Sequence, residues 1–132
     1  MSGLLSLHGV ENIDRLIVAG TGFEAISLEQ ALAVAGANGK PVLVDMSAIW
    51  CASCRMLDKK VFGDPAVQQA IRSHYVFCRI EYESDQGEAL METYNVRGFP
   101  TLLILDAQGN LVRELPLTFD PEQFISLIMP PA

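Results

Sequence analysis

Pro41-Val42-Leu43-Val44-Asp45-Met46-Ser47-Ala48-Ile49-Trp50-Cys51-Ala52-Ser53-Cys54 joins an apolar run to a Cys-x-x-Cys pair. The run from Pro41 to Ser47 reads as a strand buried on both faces, in the middle of a sheet. The cysteines open the helix that follows, where both sulfurs lie on one side and close enough to bridge with little backbone movement. Cys51 then sits beside unpaired backbone N–H groups and the positive end of the helix dipole. Both favour a thiolate, the form that attacks disulfides. Cys54, one turn further in, is shielded and placed to resolve the mixed disulfide that Cys51 makes. The stretch predicts a strand feeding a helix, with a dithiol that cycles through a disulfide at the junction.

Other uses of the cysteines fit less well. A structural zinc site needs four ligands, and beyond the pair the chain has only Cys78, His8 and His74, none at ligand spacing to each other. Covalent haem attachment needs a histidine after the second cysteine, where Arg55 stands. An iron–sulfur cluster normally takes four thiolates, and the chain has three cysteines. No metal and no organic cofactor is implied.

At 132 residues, half of them apolar, the chain suits one domain with a substantial core. A net charge of −7 argues against a nucleic-acid or anionic-membrane surface, because both need a positive patch. The longest apolar stretches, such as Leu102 to Leu105, are strand-sized and too short to span a bilayer. Met1 to Leu7 lacks a basic leader, and no small-residue cleavage site follows an apolar core. That pattern fits a cytoplasmic protein, or a chain whose leader or membrane portion lies elsewhere.

Helices and strands alternate along the rest. Residues 1–22, with Gly3, Gly9, Gly20 and Gly22, read as an N-terminal arm or linker with a short strand at Leu16 to Ala19. Residues 23–132 form the domain. Ser27 and Gln30 make a capping box for a helix whose apolar face is Leu28, Ala31, Leu32 and Ala35, and which Gly36 and Gly39 stop. The helix opened by Cys51 should run to about Lys60, with Gly63 just beyond. Asp64-Pro65 caps the next helix, and Tyr75 to Tyr82 is a strand. Gly87 to Tyr94 is a short helix, Thr101 to Asp106 and Leu111 to Leu115 are a hairpin, and Pro121 to Met129 is a helix behind Asp120.

This order, with Asp45, Trp50-Cys51-Ala52-Ser53-Cys54 and Phe99-Pro100-Thr101 in sequence, resembles thioredoxins over residues 40 to 129. Within that family the chain is similar to the C-terminal, periplasmic domain of the DsbD thiol:disulfide interchange proteins. The residues that carry this are Phe23 to Leu32, Gly39-Lys40-Pro41-Val42, and Val61-Phe62-Gly63-Asp64-Pro65-Ala66-Val67. The resemblance implies an α/β thioredoxin-like fold, a central mixed sheet flanked by helices on both faces. It also implies a periplasmic location and a monomer that is part of, or partnered with, a membrane protein.

The resemblance carries roles to further residues. Asp45, at the inner end of a buried strand, would have its pKa raised by desolvation and take or give a proton as Cys54 reacts; the plainer reading is a satisfied core carboxylate. Asp58 stands four residues after Cys54 and matches an acidic position of the DsbD domain. A carboxylate there would disfavour a Cys54 thiolate; alternatively Asp58 is an exposed helix residue paired with a nearby base. Pro100 resembles the cis proline that faces the dithiol and would present the Phe99 backbone to an extended substrate strand. Phe99 itself departs from the pattern and is placed to narrow the groove or touch a partner. Trp50, the only tryptophan, packs by the active site or fills the core. Cys78, between Phe77 and Arg79, reads as a small core residue.

Between the cysteines, Ala52 and Ser53 replace the Gly-Pro of thioredoxins and the Pro-His of strong oxidants, which predicts a reducing or intermediate potential. Met46-Ser47-Ala48-Ile49 replaces the usual aromatic and acidic approach to the tryptophan. The expected activity is therefore a thiol:disulfide oxidoreductase acting mainly as a reductant, between an electron donor and a disulfide-bearing acceptor protein. A disulfide isomerase or oxidase would use the same residues at a higher potential. A non-catalytic adaptor would hold a partner through the Phe99-Pro100 groove and leave the dithiol inert.

Overall fold

Val42–Ser47 forms strand β1, and each of its six residues is buried, as an apolar run must be when helices cover both faces of a sheet. The structure, a computed structural model, describes residues 17–18 and 20–129. β1 pairs in parallel with β2 (Val76–Glu81) and antiparallel with β3 (Thr101–Leu105), which pairs antiparallel with β4 (Leu111–Leu115). The order across the sheet is β2-β1-β3-β4. The β1–β2 register sets Asp45 opposite Arg79 and Ser47 opposite Glu81.

Side chains alternate along β1 and divide the core in two. Val42, Val44 and Met46 pack with Leu28, Ala31 and Ala35 of helix α1 (Leu28–Asn38) and with Met91 of α4 (Gly87–Thr93). On the other face Leu43 packs with Leu57, Phe62, Ile71 and Phe124, from α2 (Ala52–Leu57) and its continuation, α3 (Pro65–His74) and α5 (Pro121–Ile128). Asp45 and Ser47 share the parity of Leu43. β1 therefore carries two polar side chains toward the layer that holds the dithiol helix.

Local capping sets the helix starts. Ser27 Oγ accepts from the Gln30 N–H while Gln30 Oε1 accepts from the Ser27 N–H, closing the predicted box. Asp64 and Asp120 cap α3 and α5, each with proline following. Helix α1 passes through Gly36, where nothing presses on the missing side chain, and ends at Gly39 with φ of 68°.

The dithiol helix departs from expectation. Cys51 is its N-cap rather than its first helical residue, and the α-helical turns end at Leu57 instead of running to Lys60. Asp58–Phe62 then forms a π-helical turn closed by the Gly63 N–H on the Asp58 carbonyl at 2.7 Å. The wider turn buries Asp58, Val61 and Phe62 together.

Of the predicted strand at Leu16 to Ala19, Leu16 and Ala19 lie outside the described residues, as do residues 1–15. Ile17 makes an isolated bridge to Glu24. Val18 and Thr21, which the sequence assigns to the arm, are buried against the domain. Gln68 Nε2 staples this turn by donating to the Thr21 and Phe62 carbonyls. Gly20, at φ of 79°, lies so close that an added Cβ would sit 3.2 Å from that of Asp58.

Candidate active site

The site begins where β1 ends. Ala48 accepts the Cys51 N–H at 3.1 Å, and the Cys51 sulfur accepts the Cys54 N–H at 3.1 Å, acting as the cap of α2. One orphan donor of the helix start thus points at the outer sulfur. Both thiols are free; Cys51 is 8% exposed and Cys54 1%. Cys51 is the sulfur a partner would meet first.

Burial pushes the Cys54 thiol up to about 11, and its contact with Cys51 adds to the shift. Hydrogen bonds from the Ala48 backbone and the Ser47 side chain act the other way. Cys78 is buried on the opposite core face; its thiol donates to the Ile26 carbonyl at 3.5 Å and is pushed up to about 12 by burial and by Asp45. It is a core residue, as expected.

An aromatic and apolar rim surrounds the dithiol. Phe99 and Tyr82 pack against the cluster of Ala48, Cys51 and Cys54. The Trp50 ring stands edge-on to Phe99 at 5.7 Å, and Phe99 lies 5.7 Å from Tyr82. Trp50 is 64% exposed, so it does not fill the core; Ile49, its neighbour in sequence, and Met56 are exposed as well. The Phe99–Pro100 peptide bond is cis.

A buried ionic cluster joins β1, β2 and the turn that follows the dithiol helix. Asp45 Oδ2 accepts from Arg79 Nε at 2.9 Å and from Nη2 at 2.6 Å. The same guanidinium reaches Asp58, from Nη1 to Oδ2 at 3.1 Å and from Nη2 to Oδ1. Asp58 Oδ2 also meets Arg55 Nε at 3.2 Å, and Arg55 Nη2 donates to Ser47 Oγ at 3.0 Å. Two carboxylates are thus matched by two guanidinium groups. Burial raises the Asp45 carboxyl to about 6 against the pull of Arg79, and its Oδ1 is buried with no hydrogen-bond partner among the described residues. For Arg79, burial favours the neutral form, but Asp45 and Asp58 outweigh it and keep the guanidinium charged.

The structure therefore gathers the sequence-predicted residues into two groups. Cys51 and Cys54 lie in a buried cluster covered by Phe99, on which the exposed Trp50 ring stands, while Asp45 and Asp58 are joined through Arg79. Asp58 is not an exposed helix carboxylate: it is 6% exposed, within the π-helical turn. Its charge is met by Arg79 and Arg55, and the groups that act on the Cys54 sulfur are Cys51, Ala48 and Ser47. Arg79, Ser47 and Tyr82 are site residues that sequence reasoning missed. An arginine inside the buried strand Phe77-Cys78-Arg79-Ile80 was the available signal, since a buried guanidinium calls for carboxylate partners.

Among the described residues, no group of three or more His, Cys, Asp or Glu side chains is arranged to hold a metal. None of the described helices is long and apolar enough to cross a membrane.

A buried strand leading to a capped Cys-x-x-Cys, with Phe99 of a cis Phe99–Pro100 bond packed against it, defines the class, and comparison with known sequences agrees. The thioredoxin-like family matches residues 23–107, more than half of the chain, and the chain belongs to that family. More narrowly, it is similar to the thiol:disulfide interchange protein DsbD of Citrobacter koseri, at 38% identity over 91 residues; the match covers 67% of this chain but only 16% of that protein. Among solved structures, the oxidised C-terminal domain of DsbD from Neisseria meningitidis superposes with a TM-score of 0.62 at 26% identity, over 75% of this chain and 88% of that one. A thioredoxin from Thermus thermophilus shares the fold, with a TM-score of 0.69 at 24% identity, over 79% and 82% of the two chains.

Proposed function

We propose that this chain is a thiol:disulfide oxidoreductase domain that works mainly as a reductant of disulfides in partner proteins. The observation that carries this is the pair of free thiols at the start of α2, the outer one accepting the Cys54 N–H and the inner one 1% exposed. In the first step Cys51, as thiolate, attacks a partner disulfide; one partner sulfur bonds to Cys51 and the other leaves with the electron pair. In the second step Cys54 loses its proton and bonds to the Cys51 sulfur. The remaining partner sulfur leaves and picks up a proton. The dithiol is oxidised by two electrons and the partner disulfide is reduced by two.

Asp45 is the buried base in this scheme. A carboxyl held near pH 6 with one unpaired oxygen can accept a proton at neutral pH, which an ordinary surface aspartate does poorly. Trp50 and Phe99 form the apolar platform on which a partner segment rests, with Pro100 beside them. The likeness to DsbD supports a periplasmic setting, a donor protein that reloads the dithiol, and a role within or beside a membrane protein.

Trapping tests the assignment of the two sulfurs. Reduced Cys54→Ala protein, mixed with a disulfide-bonded substrate protein, should accumulate a covalent complex through Cys51 that dithiothreitol releases, and Cys51→Ala protein should form none. A complex that forms equally well without Cys51 would refute the assignment.

A further inference from the structure

Tyr82, the first residue after β2, is fixed beside the dithiol: its N–H donates to the Ser47 carbonyl at 2.9 Å, and its ring packs against the cluster of Ala48, Cys51 and Cys54. The ring lies 5.7 Å from Phe99, which in turn carries the edge-on Trp50. The Tyr82 hydroxyl donates to Glu88 Oε2 at 3.0 Å, so one tyrosine side chain separates a carboxylate from the dithiol cluster. The loop between the two residues is shaped for this. The Ser84 N–H and hydroxyl both donate to the Glu81 carbonyl, at 3.0 and 2.7 Å, and the Gly87 N–H donates to the Ser84 carbonyl at 3.1 Å. A Cβ on residue 87 would stand 2.7 Å from the Tyr82 carbonyl oxygen, so a glycine is needed for α4 to start this close to Tyr82.

Asp45 and Asp58 each have an arginine, but among the described residues no base forms an ion pair with Glu83, Asp85 or Glu88. The chain from Ile80 to Val96 holds no Lys, Arg or His. The next base, Arg97, lines a separate polar cavity with Thr101 and Glu114. The bond to Glu88 pushes the Tyr82 hydroxyl above its usual range, and Glu83 adds to the shift, so the tyrosine keeps its proton and the negative charge stays on the carboxylate.

We infer that Glu88, held by Tyr82, is a specificity residue that selects partner disulfides flanked by a basic side chain. The inference rests on the reading of Cys51 as the attacking thiol. When Cys51 bonds to one partner sulfur and the other leaves with the electron pair, the residues next to the bonded cysteine lie against the aromatic rim. A Lys or Arg there can cover the Tyr82 ring with its stem and bring its charge to Glu88. An Asp or Glu there meets an uncompensated like charge. The apolar rim holds either kind of segment; Glu88 makes the choice between them.

Two small disulfides of opposite charge read the preference: cystamine, with an ammonium on each arm, and 3,3′-dithiodipropionate, with a carboxylate on each. Oxidation of the reduced full chain by each is followed by alkylating the remaining thiols. The ratio of the two rate constants is divided by the same ratio for 2-mercaptoethanol, which removes the intrinsic reactivity of the probes. A change in the nucleophilicity of Cys51 acts on both probes and cancels. At about 20 mM salt the native protein should prefer cystamine by about tenfold, and the preference should shrink toward unity at about 1 M. Glu88→Gln should lower the preference by about threefold or more, and Tyr82→Phe, which keeps the ring but frees the carboxylate, should fall between. Glu24→Gln removes the same charge at the opposite end of the sheet, where Glu24 lines a cavity with Lys40 and Val76, and should change the preference by less than about 1.5-fold. A native preference in Glu88→Gln would overturn the inference, as would equal losses in Glu88→Gln and Glu24→Gln, which would make net charge the cause. A native protein that reduces neither disulfide would overturn the dithiol reading itself, and this inference with it.

Discussion

Asp45 and Arg79 face each other across the parallel pair β1 and β2, and Arg79 brings Nε and Nη2 to a single Asp45 oxygen, at 2.9 and 2.6 Å. The arrangement leaves Oδ1 buried without a hydrogen-bond partner among the described residues, and Arg79 keeps enough reach to hold Asp58 as well. The register of two strands thereby ties the buried carboxylate of β1 to the π-helical turn that follows the dithiol helix.

This pairing makes stability depend on pH in a defined window. The folded-state pKa of Asp45 is raised from 3.8 to about 6 because burial outweighs the attraction of Arg79. Between those values the folded protein binds more protons than the unfolded chain. The contribution of Asp45 therefore favours folding as pH falls through about 6 toward 4, and is lost as pH rises back through that window. Its full range is about 3 kcal/mol. Urea unfolding of the native protein and Asp45→Asn at pH 4.5, 6 and 7.5 should show this slope in the difference between the two. Parallel pH profiles would contradict the buried, shifted carboxyl.

Arg79 should be the most sensitive charged residue. Its side chain is 6% exposed, and removing it leaves two buried carboxylates without their shared partner. Arg79→Met should cost about 3–5 kcal/mol of stability at pH 7, less at pH 4.5, and should raise the Asp45 midpoint followed by carboxyl NMR. Arg79→Lys keeps the charge but not the fork that spans two carboxylates, and should fall between. A loss below about 1 kcal/mol in Arg79→Met would show that the cluster is not held as described.

Trp50, 64% exposed and edge-on to Phe99, should matter to partners more than to folding. Trp50→Ala is expected to change stability by about 1 kcal/mol or less. It should also lower kcat/KM for a disulfide-bonded protein several-fold, while the rate with oxidised glutathione stays near native. Equal losses on both substrates would place Trp50 in the chemistry of the dithiol instead.

What the sequence made legible was local. The apolar run of β1, the Ser27–Gln30 box and the Asp64-Pro65 and Asp120-Pro121 starts each depend on residues within one turn or strand, and all appear where expected. The Cys-x-x-Cys was equally plain, because its geometry follows from its spacing. The π-helical turn was not, since it reflects how Asp58, Val61 and Phe62 are buried together by distant elements. The ionic cluster was hidden for the same reason. Asp45 and Arg79 are 34 residues apart and meet only through strand register. Gly36 misled because an exposed glycine weakens a helix without ending it, whereas Gly39 ends it through its left-handed backbone.

The most direct test of the reductant role is the reduction potential of the Cys51–Cys54 couple. It can be measured by equilibration with dithiothreitol or glutathione, with thiol alkylation and Trp50 fluorescence as readouts. The expected value is near or below that of thioredoxin, roughly −270 mV. A value near roughly −120 mV would reverse the direction of electron flow and contradict it.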